Sequence, residues 1–104
     1  MSNITNLLQK HAATIIAEMP AKFTTRQFIW KLSYEYQADY VEMLIEAYNE
    51  KNENPQIFLN LHSQIGRYLL NHAEELNIEK LGEIKEPAIN PFGRETPTQL
   101  WEKR

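Results

Sequence analysis

The residues that could support acid–base or metal chemistry are few in this sequence and lie far apart. The histidines are His11, His62 and His72, and the chain contains no cysteine. His62 and His72 are ten residues apart, about 80° off a common helical face. Neither has a histidine or carboxylate four residues away, as a helical zinc pair requires. We therefore predict no catalytic site, no metal, no cofactor and no small-molecule substrate.

A row of acidic residues, from Glu35 to Glu53, runs along the third predicted helix and just beyond its ends. This segment has six acids and one lysine, a net charge of −5, so the remaining residues carry a net charge of +2. The acids recur at offsets of three and four, which is typical of a solvated helix face. Because this face repels phosphate, any nucleic-acid surface must lie elsewhere on the molecule.

A second polar surface is predicted on the fourth helix, where Asn, Gln and Arg recur at offsets of three and four. These side chains can pair with adenine and guanine edges in a major groove, and basic residues after the helix can contact phosphates. The competing interpretation is an uncharged helix face that meets water or a neighbouring helix. The residues predicted to bind nucleic acid, with DNA as the partner, are Asn60, Gln64, Arg67, Asn71, Lys85 and Arg94.

Aromatic residues give a different hypothesis, because the chain has more large rings than a domain of this size buries fully. Trp30 lies across its predicted helix from the core-facing Phe28 and Leu32, and Tyr34 follows one turn later. Aromatic rings are enriched at protein interfaces. Trp30 and Tyr34 therefore mark a surface for a protein partner or for a second copy in a homodimer, or else a further core layer under the C-terminal loop.

Length and composition indicate one globular domain. The chain has 104 residues, of which 42% are hydrophobic and 24% charged. This is enough for one core without disulfides, and too apolar for a disordered tail. Neither a signal peptide nor a stretch long enough to span a membrane is visible, so we expect a cytoplasmic protein of bacterial type with no membrane association.

The first three helices are predicted from apolar periodicity and capping signals. Helical spacing runs over residues 3–19 and is stopped by Pro20, and Thr24 with Gln27 has the spacing of a capping box. The second helix should run from Thr25 to about residue 34, and the third over residues 37–48. The break between these two is weakly marked, so one bent helix remains an alternative. The third helix presents one apolar face, formed by Tyr40, Val41, Leu44, Ile45 and Tyr48.

The second half of the chain begins with Asn54 and Pro55, an N-cap followed by a proline at the first helical position. Periodicity favours one helix over residues 55–76, while Gly66 leaves two helices with a turn near residues 62–66 as an alternative. A short strand or extended segment at Ile78–Ile84 follows, with a loop at 86–97. The tail, residues 98–103, has two interpretations. It can pair with the preceding strand as a hairpin, or form a helix that Thr96 and Gln99 would cap.

The order of these elements, with the segments His62–Leu70, Leu81–Ile84 and Asn90–Gly93, resembles a winged helix-turn-helix and small proteins of bacterial genomes and prophages. The resemblance covers roughly residues 23–101. It implies that the helix carrying Gln64, Arg67 and Asn71 is the recognition helix and that the loop around Arg94 is the wing. We predict a mainly helical, winged-helix-like single domain over residues 1–104, with 78–104 as a β-hairpin or extended part. Its predicted role is a non-enzymatic binding module.

Overall fold

The computed structural model describes residues 3–50, 56–87 and 95–104, and this part of the chain combines four helices with a three-stranded sheet. The helices are α1 (Asn3–Ala17), α2 (Thr25–Glu35), α3 (Gln37–Glu50) and α4 (Ile57–Asn71). The strands are β1 (Lys22–Thr24), β2 (Ile78–Pro87) and β3 (Glu95–Lys103). The predicted class, mostly helical with a small antiparallel β part, is confirmed.

The N-terminal helices begin and end close to their local signals. α1 ends three residues before Pro20, and its buried residues recur at helical spacing. At the start of α2 the Gln27 amide donates to Thr24 Oγ1 at 3.1 Å. The Thr24 amide in turn donates to Gln27 Oε1 at 2.9 Å. The predicted capping box is therefore present, and Phe23 and Phe28 beside it are both buried.

α2 and α3 are separate helices. Tyr36 leaves the helical conformation (φ −126°, ψ 55°), while its amide still donates to the Leu32 carbonyl. α3 then restarts at Gln37. This break turns the direction of the chain and lets α3 lie against both α1 and α4.

α4 is shorter than the periodicity predicts, because it ends at Asn71 and not at residue 76. A turn follows, and Asn77 has a positive φ of 55°, a left-handed conformation that asparagine tolerates better than most residues. Ala73 and Leu76 still pack against the core from this turn, which explains why they continue the apolar pattern. The predicted cap at Asn54 and Pro55 lies outside the described residues.

The tail forms a strand, so the alternative of a C-terminal helix capped by Thr96 is wrong. β3 is the central strand of the order β1-β3-β2, and both of its neighbours are antiparallel to it. Its pairing on two sides satisfies backbone groups that a short terminal helix would leave exposed. Trp101 on β3 is buried, and its indole N–H donates to Thr25 Oγ1 at 2.9 Å. The short strand β1 was not predicted.

The core lies between the helices and one face of the sheet. Its fully buried members include Leu61, Ile65 and Leu69 of α4, together with Phe23 and Trp101 of the sheet. Across the three described ranges, none of the helices has the length and apolarity that crossing a bilayer would take.

Candidate functional site

Part of the polar line predicted on α4 lies beside α1. Asn60 and Gln64 are half-buried, whereas Arg67 and Asn71 are exposed. Gln64, Arg67 and Asn71 line one side of a cleft of about 200 Å³, and the first turns of α1 line the other. The side-chain nitrogen of Asn60 is buried and has no partner within the described ranges. Three of the six predicted residues therefore meet at one cleft.

The other predicted nucleic-acid residues are placed less favourably for a shared surface. Lys85 is exposed on β2, and Arg94 lies outside the described residues. The exposed side of α4 also carries Leu59 and Leu70, each more than half exposed, together with Ser63. Arg67 is the one charged residue of this helix. A recognition helix would thus present two leucines alongside a single cation.

The largest departure from the predicted surface is an apolar groove between α3 and α4. Val41, Ile45 and Tyr48 of α3 are 52%, 56% and 50% exposed, and Phe58 of α4 is 59% exposed. With Leu44 and Ile57, these residues line a groove of about 270 Å³ whose surface is almost wholly apolar. These six residues form the α3–α4 groove. A contiguous exposed apolar surface of this kind is typical of an interaction site.

The groove is exposed because α3 buries its other apolar side. Met43 and Ala47 are fully buried, and Tyr40 is nearly so, although the sequence pattern favoured the face that carries Val41 and Ile45. α3 is therefore apolar on two sides, and the helix can cover only one of them with its own chain. The apolar side that the chain leaves uncovered is available to a partner.

Two polar contacts fix the rotation of α3 about its axis. On one flank Asp39 Oδ2 lies 2.5 Å from Nε2 of the buried His11 on α1, and the His11 ring stacks on Tyr36. On the other flank the Tyr40 hydroxyl lies 2.7 Å from Nε2 of His62 on α4. Turning the groove residues inward would break both contacts and leave buried polar atoms without partners, which costs about 1–3 kcal/mol each.

Burial sets the protonation states of the His62 imidazole and the Tyr40 hydroxyl. Burial of the imidazole, with the Arg26 guanidinium as a smaller cause, lowers the pKa of His62 to about 4. Burial also raises the pKa of the Tyr40 hydroxyl to about 12. At neutral pH both groups are uncharged, and the Tyr40 hydroxyl and Nε2 of His62 form a neutral hydrogen bond. This pair positions α3 against α4 and carries no charge into the groove.

The charged residues of α3 are all acidic. α3 carries Asp39, Glu42, Glu46 and Glu50 and no lysine or arginine. Asp39 pairs with His11, and Glu46 accepts a hydrogen bond from the Asn3 amide at 3.4 Å. Glu42 is exposed to solvent next to Val41. Two acids of the predicted row therefore contact α1, and Glu42 is a solvent-exposed carboxylate beside the groove.

The predicted partner surface on α2 is exposed. Trp30 is 53% exposed and Tyr34 is 75% exposed, so neither ring forms part of a second core layer. Lys31 Nζ lies 2.9 Å from Glu35 Oε1, an exposed pair on the same helix. Sequence reasoning missed the α3–α4 groove, although the spacing of Val41, Ile45 and Tyr48 over two turns was a usable signal.

Groups for catalysis or metal binding are sparse in the described part of the chain. Within it, no three His, Cys, Asp or Glu side chains are close enough to hold a metal ion together. The His11–Asp39 pair, which sequence reasoning missed, is mostly enclosed and links two helices. Comparisons with protein-family models, with curated proteins and with solved structures found no match for this chain.

Proposed function

We propose that this chain is a non-enzymatic protein-binding module whose partner occupies the α3–α4 groove. The observation that carries the proposal is the exposure of Val41, Ile45, Tyr48 and Phe58 along one groove, next to a well-filled core. Burying the exposed part of each such side chain against a partner favours a complex through the hydrophobic effect. The cost of association offsets part of this gain, so covering this groove suits a reversible interaction.

The scaffold of this module is winged-helix-like, with α3 as an additional helix. Support comes from the order of elements, in which β1 follows α1 and an antiparallel hairpin follows the last helix. The sheet order β1-β3-β2 gives the same support, since the N-terminal strand pairs with the last strand of the hairpin. The additional helix is the one that bears the groove, so the partner surface lies on the element by which this chain departs from a minimal winged helix.

The occupant that this groove fits is an amphipathic helix with basic residues flanking its apolar stripe. The groove runs between two helices and is lined by apolar residues of both, which is the geometry of helix-in-groove recognition. The acidic α3 and the exposed Glu42 select against an acidic partner and attract a basic one. A second copy of the same face would bring two acidic α3 helices together, which like-charge repulsion opposes.

The test uses synthetic helical peptides with leucines at i, i+4 and i+7, flanked either by lysines or by glutamates. Fluorescence anisotropy should show saturable binding of the lysine-flanked peptide and at least about tenfold weaker binding of the glutamate-flanked one. Ile45→Asn should weaken binding of the lysine peptide by about tenfold or more, since it removes a groove side chain. Glu42→Lys should weaken the lysine peptide and strengthen the glutamate peptide.

Matched controls separate the groove from general stickiness. Leu70→Asn changes an equally exposed apolar residue on another side of α4, and Glu83→Lys makes the same charge change on β2. Both should leave peptide binding unchanged. The proposal fails if Leu70→Asn weakens binding as much as Ile45→Asn does, or if the two peptides bind equally. A concentration-dependent dimer in sedimentation that Ile45→Asn abolishes would identify a second copy as the occupant and overturn the basic helix.

Nucleic-acid binding is the second candidate function, favoured by one observation at the end of α4. Arg67 is exposed and forms no ion pair within the described residues, and Lys80 and Lys85 are exposed on the strand that follows. This candidate requires salt-dependent binding to duplex DNA that Arg67→Ala diminishes. Absence of binding at low salt by the folded protein would eliminate it and leave the groove proposal untouched.

A further inference from the structure

The cleft between α1 and α4 places one cation beside several neutral polar groups. Arg67, Gln64 and Asn71 line it from α4, and Thr5 lines it from α1. The Arg67 guanidinium has no carboxylate partner in the described part of the chain, and the Asn71 side chain makes no hydrogen bond there. The groups that would bind an anion are therefore present and, for these two residues, unused by the fold.

Two aliphatic side chains and two rings form the rest of the cleft. Ile4 and Leu8, each 1% exposed, line it from α1. Tyr68 of α4 and His72, the residue after this helix, line the other side, with their rings stacked at a centroid distance of 4.1 Å. His72 Nδ1 lies 3.1 Å from the Tyr68 carbonyl oxygen, so this nitrogen is the donor. The stacked rings and the backbone contact hold this wall in one conformation.

We propose that this cleft binds the carboxylate of a small organic acid, with Arg67 as the group that pairs with it. The planar guanidinium presents two parallel N–H groups, a fork that matches the two oxygens of a carboxylate. Asn71 lies one turn along the same helix from Arg67 and can donate to the same group. The apolar lining suits the hydrocarbon part of the acid. This ligand class goes beyond the proposed protein-binding function, which uses another surface.

The charge of the cleft favours a monoanion over phosphate. Arg67 is the one cation among its lining residues, so it compensates a single negative charge. Glu75 lies near the same wall, since its carboxylate helps burial to raise the pKa of Tyr68. A phosphate dianion would carry an uncompensated charge towards that carboxylate. The volume of about 200 Å³ also limits the ligand to a small molecule.

The test follows ¹⁵N–¹H spectra of the whole chain during titration with sodium benzoate, sodium acetate and inorganic phosphate. Benzoate should shift the amide signals of Thr5, Arg67 and Asn71 saturably, with a Kd on the order of 1 mM for so small a ligand. Its ring should add ring-current shifts at Ile4 and Leu8. Acetate should bind more weakly, because it covers less of the apolar lining. Tighter binding of phosphate than of benzoate would overturn the assignment.

Two pairs of variants locate the site. Arg67→Gln removes the charge from the cleft, whereas Lys80→Gln makes the same change on β2 and serves as its control. Asn71→Asp places a competing carboxylate one turn from Arg67. Its control, Asn49→Asp, introduces the same carboxylate in the last turn of α3, outside the cleft. Arg67→Gln and Asn71→Asp should each raise the benzoate Kd by about tenfold or more, and the controls should change it less than about twofold.

Failure of this proposal is distinguishable from failure of the groove proposal. Ile45→Asn should leave benzoate binding unchanged, since Ile45 does not line the cleft. Benzoate shifts that are absent, fail to saturate or persist at full size in Arg67→Gln overturn the carboxylate site. None of these outcomes bears on peptide binding at the groove.

Discussion

Lowering the pH from 7 to 5 is expected to remove about 2 kcal/mol of stability through His62 alone. Burial of this imidazole, with Arg26 as a smaller cause, lowers its pKa from the ordinary 6.5 to about 4. As the pH falls, the unfolded chain therefore takes up a proton before the folded chain does. The stability contributed by neutral His62 is complete above about pH 6.5 and is lost progressively as the pH approaches 4.

The magnitude follows from the two pKa values. At pH 5 His62 is almost fully protonated in the unfolded chain and almost fully neutral in the folded chain. Most of the stability that the neutral imidazole contributes at pH 7 is therefore already lost. The complete loss, reached below pH 4, is about 3 kcal/mol. Protonation also places a charge on the half-buried imidazole, whose Nε2 lies 2.7 Å from the Tyr40 hydroxyl oxygen.

The assay is urea denaturation from pH 7 to 5, combined with an NMR titration of the histidine ring signals. His62→Gln should flatten the pH dependence of the unfolding free energy by about 2 kcal/mol over this range. His72→Gln, which removes another histidine close by in the chain, is the control and should retain the His62 contribution. A folded-state titration of His62 near pH 6.5, or an unchanged pH profile in His62→Gln, would refute the reasoning.

Two further predictions concern the sheet and its contact with α2. Thr25→Val leaves the buried indole N–H of Trp101 without its acceptor and should destabilise the fold by about 1–3 kcal/mol in urea denaturation; a loss below about 0.5 kcal/mol would mean that the indole finds another partner. Gly82→Ala should lower the free energy of unfolding by about 1–3 kcal/mol in the same measurement. Gly82 lies beside the β2 bulge with a φ of +122°, a backbone conformation that residues with a side chain rarely adopt. Because the space around that position is open, a neutral result would show that the bulge relaxes.

Local signals were sufficient where the determining contacts are local. The reciprocal hydrogen bonds between Thr24 and Gln27 span three residues, so residue types and spacing alone predict them. β1 was missed for the opposite reason. Its three residues form a strand because they pair with Leu100, Trp101 and Glu102 of β3, far along the chain.

The C-terminal tail shows two local signals in competition. Thr96 and Gln99 have capping-box spacing, but the segment pairs along its length with β2, from Pro87 opposite Glu95 to Ile78 opposite Lys103. The Arg104 amide donates to the Asn77 carbonyl at 2.9 Å, next to the last pair of this ladder. Pairing between distant residues therefore outweighs a short helix signal that only a few residues support.

The candidate site depends on contacts that spacing cannot show. Asn60, Gln64, Arg67 and Asn71 lie on one line of α4, as their offsets predict, but periodicity gives no indication that α1 lies beside the last three. These three residues therefore line a cleft between two helices. The groove on α3 was missed for a related reason, because an apolar stripe does not reveal whether the fold or a partner covers it.

Buried polar contacts decide which apolar side of α3 remains exposed. Hydrophobic burial alone distinguishes poorly between the side with Met43 and the side with Ile45, since both are apolar. The Asp39–His11 and Tyr40–His62 contacts are directional and occupy the two flanks of the helix, so they select one rotation. The exposed side then contributes little to folding. Its residues can be replaced without large losses of stability, which allows binding to be measured separately from folding.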